Sequence, residues 1–203
     1  MAETETQRLI LASASRARAA VLRQAGLSIE QVPAAVDEEE VKRALRADGS
    51  PATHVAETLA DLKAQHVSRR HGGAFVIGAD QMLECNGVWF DKPADRDHAR
   101  AHLMALRGTT HELITAVAVV RDGARLWHHA ATAHLTMRPF SDTFIERYLA
   151  EVGEDACRSV GAYQLEGLGA QLFAKVDGDF FTILGLPLFP LLDFLRGHGI
   201  VDE

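Results

Sequence analysis

The chain has 203 residues, enough for one large domain or two closely joined lobes, and its 47% apolar content supports a sizeable core. A formal net charge of −7 argues against general nucleic-acid binding, and no apolar run reaches membrane-spanning length. Cys85 and Cys157 lack metal-type spacing and read as free thiols in a reducing compartment. The N-terminus passes through polar and charged residues before its first apolar run, unlike a signal peptide, so a cytoplasmic address is expected.

In chain order, Arg8–Ala12 reads as a short strand, and Ser15 to about Ala25 as a helix with a serine N-cap and a stop at Gly26. Arg16 and Arg18 stand in its first turn, where a helix by itself prefers acids. That conflict favours an anionic ligand on the free N–H groups, against the plainer reading of an ordinary turn with surface arginines. There is no Walker-type glycine loop. Leu27–Val32 reads as a strand ended by Pro33. The run Asp37-Glu38-Glu39-Glu40 then precedes a helix over Val41–Ala47, as a helix start or as the source of one metal ligand. Ser50-Pro51 opens a further helix over Thr53–Arg70, with Val55, Leu59, Leu62 and Val67 on its apolar stripe. Lys63 beside that stripe reads as a snorkelling lysine.

Gly72-Gly73 leads to Phe75-Val76-Ile77-Gly78-Ala79-Asp80-Gln81, an apolar run delivering one carboxylate to a sheet edge. An acid there is costly unless it is paired, bound to metal or used in chemistry. Asn86-Gly87 marks a hairpin whose returning arm, Val88-Trp89-Phe90, carries Lys92 back beside Asp80. The pair makes a candidate acid–base site; the same residues also suit a turn-capping Asp beside a solvated lysine.

Asp95–Leu106 reads as a helix with Ala99, Leu103 and Leu106 on one face. Its His98 and His102 have a metal-capable spacing but no companion Glu between them. Arg107–His111 reads as a polar loop, followed by strands Glu112–Arg121 and Arg125–Met137 turning at Asp122-Gly123. His128, His129 and His134 lack cysteine partners for zinc. A helix follows from Ser141-Asp142 to Glu151. The glycine-rich stretch Gly161–Ala170 suits close approach to a ligand or bulged strands. Leu172–Val176 reads as a strand and Leu188–Arg196 as an apolar final helix. The mixture gives an α/β fold with long antiparallel hairpins.

Taken together, Leu9-Ile10-Leu11-Ala12-Ser13-Ala14-Ser15 with Arg18, Asp37-Glu38, Leu59–Ala64, Ile77–Asp80, Lys92-Pro93, Arg107–His111, Gly161-Ala162-Tyr163, Glu166-Gly167 and Gly185-Leu186-Pro187 resemble the Maf-type nucleoside triphosphate pyrophosphatases in order and over nearly the whole chain. The resemblance implies a single Maf-like nucleotide pyrophosphatase domain over residues 1–203, a two-lobed mixed α/β sheet with flanking helices and the active-site cleft between lobes, as in ITPase-like folds. It also implies hydrolysis between the α- and β-phosphates with a divalent cation, Mg or Mn. By that resemblance Asp80 is the base that activates water, and Glu38 joins it in holding the metal. Ser13, Ser15 and Arg18 hold phosphates, and Lys63 and Lys92 neutralise them; Arg16, Gln81 and Glu166 are counted with the substrate-binding candidates. A nucleoside triphosphate is then the substrate; a homodimer is admitted, and neither membrane nor nucleic acid is expected as a partner.

Members preferring dTTP or UTP often have Thr after the catalytic Asp and Gln in the glycine-rich tail. Here Gln81 and Glu166 stand at those positions, which resembles the 7-methyl-GTP branch. A carboxylate suits the guanine N1–H and N2–H₂ donors, and N7 methylation adds a favourable positive charge. Arg16 stands where the family often has Pro, and Asp91 where Gly is usual, so base preference stays open to dTTP or UTP. A nucleotide-binding regulator of cell division and a phosphohydrolase releasing orthophosphate are the other two readings.

Overall fold

The computed structural model describes residues 7–202, so the reading of the extreme N-terminus falls largely outside the described residues. Its elements in chain order are β1 (Leu9–Leu11), α1 (Arg16–Gln24), β2 (Glu30–Gln31), α2 (Glu38–Ala47), α3 (Ala52–Ser68), β3 (Phe75–Cys85), β4 (Val88–Phe90), α4 (Arg96–Leu106), β5 (Thr110–Arg121), β6 (Ala124–Met137), α5 (Asp142–Val152), β7 (Phe173–Asp177), α6 (Phe180–Ile183) and α7 (Leu188–Gly197). A seven-stranded mixed sheet runs in the order β2-β1-β3-β5-β6-β7, with β4 paired to β3. β1 lies parallel to both β2 and β3, whereas β3–β4 and β6–β7 are antiparallel. This is the mixed α/β architecture that the pattern predicts. Among the described residues no helix is long and apolar enough to cross a membrane.

The chain divides into two compact units. The first takes the residues up to Asp80, Thr115–Ala131 and those from Gly185 onward; the second takes Gln81–Ile114 and Thr132–Leu184. In the first, Ile10, Val76 and Val120 from the strands and Ala12 just after β1 pack with Ala64 and Val67 of α3. In the second, Leu83, Leu113, Leu135 and Met137 pack with Leu103 and Leu106 of α4 and with Ile145 and Leu149 of α5.

Local sequence explains the boundaries. Ser15, Asp37, Asp95, Ser141 and Asp179 each accept a backbone N–H at a helix start. Asn86 and Gly87, and again Asp122 and Gly123, adopt φ of 52°, 79°, 51° and 78°, the left-handed pair of a tight hairpin turn.

Several expectations are corrected. The strand over Leu27–Val32 shrinks to Glu30–Gln31. The helix expected over Val41–Ala47 begins earlier, at Glu38, with Asp37 of the acidic run as its N-cap and Glu38, Glu39 and Glu40 in its first turn, in keeping with a helix start. Leu62 faces outward at 37% exposure, and Lys63 is buried rather than snorkelling. The run into Asp80 does not end there: β3 continues to Cys85, so Asp80 sits mid-strand, three residues beyond the last pairing with β1. Finally, Thr110 and His111 belong to β5, and the glycine-rich stretch forms 3₁₀ turns (Val160–Ala162, Leu168–Leu172) instead of bulged strands.

Candidate active site

The turn from β1 into α1 gathers the groups that suit an anion. Ser13 Oγ accepts the Ser15 N–H at 3.2 Å and Arg18 Nη1 at 3.2 Å, leaving its own hydrogen to donate. Ser15 Oγ caps the Arg18 N–H at 3.3 Å. The N–H groups of Ala14, Arg16 and Ala17 make no hydrogen bond among the described residues, and the first turn of α1 carries no acid. Arg16 is exposed at the head of the helix. The Arg18 guanidinium is held rigidly: Nε donates to Gly185 O at 2.7 Å and Nη1 to Ala79 O at 2.8 Å. Burial lowers its pKa from the usual value, while the charges of Asp80 and Glu38 oppose that shift. Its second bond ends on the residue before Asp80, so the anion turn and the acid share one neighbourhood.

Asp80 is held from α3. Residues 78 and 80 lie on the same face of β3, because side chains alternate along a strand. Gly78 lets α3 come close: a Cβ there would stand 2.1 Å from Ala60 O and 2.9 Å from Ala64 Cβ. With Ala60 and Ala64 against the strand, Lys63 between them is aimed at the same face. Its Nζ donates to Asp80 Oδ1 at 2.6 Å and meets Glu38 Oε1 at 2.8 Å. Asp80 and Lys63 are buried at 4% and 7% exposure, a strained arrangement unless the charges stay paired. α2 supplies Glu38 because Asp37 caps its first turn.

The pair Asp80 and Glu38 suits a hard divalent cation. Asp80 Oδ2 is buried without a hydrogen-bond partner among the described residues, and both donors are carboxylates. No group of three or more His, Cys, Asp or Glu able to hold a metal occurs among the described residues. Remaining ligands would therefore be phosphate oxygens and water, as Mg prefers.

Six of the expected residues thus come together within the first unit: Ser13, Ser15, Arg18, Glu38, Lys63 and Asp80. Gln81, Lys92 and Glu166 belong to the second unit. There, Gln81 Nε2 donates to Thr182 O at 3.2 Å and Ile183 O at 3.1 Å, so its amide nitrogen is engaged within the protein. The β3–β4 ladder ends at Leu83–Phe90, leaving Lys92 exposed two residues beyond it. Glu166 is exposed in a tight turn, closed by Gly167 N–H on Gln164 O at 3.2 Å.

The sequence reading did not single out Gly78 as a packing residue, nor the polar pair beneath the glycine-rich stretch. His111 Nε2 lies 2.7 Å from Tyr163 OH, both residues buried. The glycine interrupting an apolar run was a signal for the first; His111 offered none, since it reads as part of a polar loop until β5 is seen to begin at Thr110. A separate groove of about 680 Å³ is lined by Arg8, Leu9, Gly26, Leu27 and Ile200; it adjoins the start of β1 and the end of α1, opposite to the end that carries Ser13 and Ser15.

Comparison with known proteins places the whole chain in a family. The family profile described as "Maf-like protein" matches residues 8–198. A Paramagnetospirillum magneticum protein named nucleoside triphosphate pyrophosphatase is 61% identical over 94% of this chain and 98% of its own length. One of the same name from Granulibacter bethesdensis is 54% identical over 94% and 97%. A Mesorhizobium japonicum protein named 7-methyl-GTP pyrophosphatase is 51% identical over 97% and 99%.

Proposed function

This chain belongs to the Maf-like protein family, and from that premise we propose that it is a nucleoside triphosphate pyrophosphatase in which Asp80 is the catalytic base. The observation that carries the reading is the buried Asp80 carboxylate, clamped through Oδ1 by Lys63 while Oδ2 has no hydrogen-bond partner among the described residues, beside a turn suited to an anion. Oδ2 accepts a proton from water as the water oxygen attacks the α-phosphorus. The bond from that phosphorus to the bridging oxygen breaks, and a nucleoside monophosphate and pyrophosphate leave. Ser13, the N–H groups opening α1, Arg16 and Arg18 hold phosphate oxygens; Lys63 and Lys92 offset their charge. Asp80 and Glu38 would hold a divalent cation, Mg or Mn, which supplies charge neutralisation on the phosphates when bound.

For the base, Glu166 and Gln81 favour a modified guanine nucleotide, with 7-methyl-GTP as the leading substrate. A carboxylate accepts from guanine N1–H and N2–H₂, and gains from the charge of an N7-methylated ring. The name shared by the relatives at 61% and 54% identity is the broader one, which keeps a dTTP or UTP preference as the competing reading. Purified protein assayed on 7-methyl-GTP, GTP, dTTP, UTP and CTP separates the two. Faster turnover of dTTP or UTP reverses the base assignment without touching the reaction type.

A further inference from the structure

Gln31 belongs to none of the motifs above, yet its side chain reaches the turn that receives phosphate. It sits in β2 opposite Leu11 of β1, and the following Val32 N–H donates to Leu11 O at 3.0 Å. From there Nε2 donates to Ser13 O at 2.9 Å and to Ser15 O at 3.4 Å. Both partners are acceptors, so the amide can face them only with its nitrogen. In a planar trans peptide, the C=O of one residue and the N–H of the next point in opposite directions. Drawing the Ser13 carbonyl toward Gln31 therefore turns the Ala14 N–H the other way; the Ser15 carbonyl, which also accepts the Ala19 N–H at 3.2 Å in the first turn of α1, is held by both and leaves the Arg16 N–H facing away from them. Those two N–H groups make no hydrogen bond among the described residues.

We infer that Gln31 is a positioning residue that sets the peptide planes of the β1–α1 turn so that the Ala14 and Arg16 amides converge on a substrate phosphate. It touches no substrate itself. The inference rests on the reading that this turn binds the triphosphate. It also explains why a turn of only three residues between β1 and the α1 cap can face an anion without glycine, the residue that loops of this kind normally use for close backbone approach.

The test uses two variants of the full chain. Gln31→Met keeps length and bulk but loses the donor; Gln31→Glu keeps shape and sets a carboxylate against two carbonyl oxygens. KM and kcat are measured on whichever triphosphate of the panel the wild type turns over fastest, and pyrophosphate binding is measured by calorimetry. Gln31→Met is expected to raise KM and the pyrophosphate Kd by about tenfold, Gln31→Glu by more, with kcat falling far less than KM rises. A residue that serves only structure would instead lower the melting temperature and the active fraction while leaving KM alone. Unchanged KM and pyrophosphate Kd in a folded Gln31→Met protein overturns the inference, and that variant decides alone if the Glu variant does not fold. A wild type that neither hydrolyses triphosphates nor binds pyrophosphate overturns the functional reading, and this inference with it.

Discussion

Asp80 and Lys63 show what one buried residue can demand of another. Each would be expensive alone in the interior, and together they leave a carboxylate oriented by the ammonium at Oδ1 and without a hydrogen-bond partner among the described residues at Oδ2. Lys63→Met is expected to lower unfolding free energy by on the order of 3 kcal/mol, because it strands Asp80 without its ammonium. Urea denaturation monitored by circular dichroism measures this; a loss under about 1 kcal/mol would show that the pair is solvated rather than buried. Arg18 makes a similar demand through shape. Its fork meets Gly185 O with Nε and Ala79 O with Nη1, geometry that a lysine cannot copy. Arg18→Lys should therefore raise KM by on the order of tenfold and not restore the wild-type value at any pH, since charge without the fork leaves the phosphate contact misplaced. Steady-state kinetics with an unchanged KM would contradict that role.

At the scale of elements, the meeting of β3 and α3 decides whether the site exists. The contact is a row of small residues, Gly78 against Ala60 and Ala64, and Lys63 reaches Asp80 because the helix can come that close. Gly78→Ala places a methyl 2.1 Å from a helix carbonyl, so one element must move. A loss of about 2 kcal/mol in stability is expected, together with loss of turnover through the displaced lysine. Wild-type melting and turnover in this variant would refute the packing argument. The sequence discloses such elements unevenly. β1, the α1 cap, the Asn86-Gly87 hairpin and the buried stripe of α4 were legible, since caps, turns and periodicity are local. The burial of Lys63, the outward Leu62 and the continuation of β3 past Asp80 were not. Each depends on which residue of a distant segment arrives opposite, and helical period alone does not distinguish Leu62 from Lys63 as the inward side chain. The roles proposed for Glu38 and Lys63 rest on likeness to a family, because an acidic helix start and a lysine beside a stripe are common on any surface.

Across the whole molecule, stability should carry a signature of the second unit's interior. His111 is 1% exposed, its Nδ1 has no hydrogen-bond partner among the described residues, and burial lowers its pKa from 6.5 to about 4. The unfolded chain takes up that proton near 6.5, whereas the folded one resists it until about 4. Between those values the unfolded state holds more protons, so stability falls as pH falls, by ~3 kcal/mol across the interval. Above the upper value the folded form loses nothing on this account. His111→Gln is expected to flatten that part of the profile relative to wild type; equal slopes in the two proteins would show that His111 is not the group responsible.

The central claim, that Asp80 prepares water to cleave between the α- and β-phosphates, is tested most directly by phosphorus NMR of the products formed from the preferred triphosphate by the wild type and by Asp80→Asn. The expected result is stoichiometric monophosphate and pyrophosphate from the wild type, and turnover reduced at least ~100-fold in a folded Asp80→Asn protein. Orthophosphate as the wild-type product, or undiminished turnover by Asp80→Asn, would contradict it.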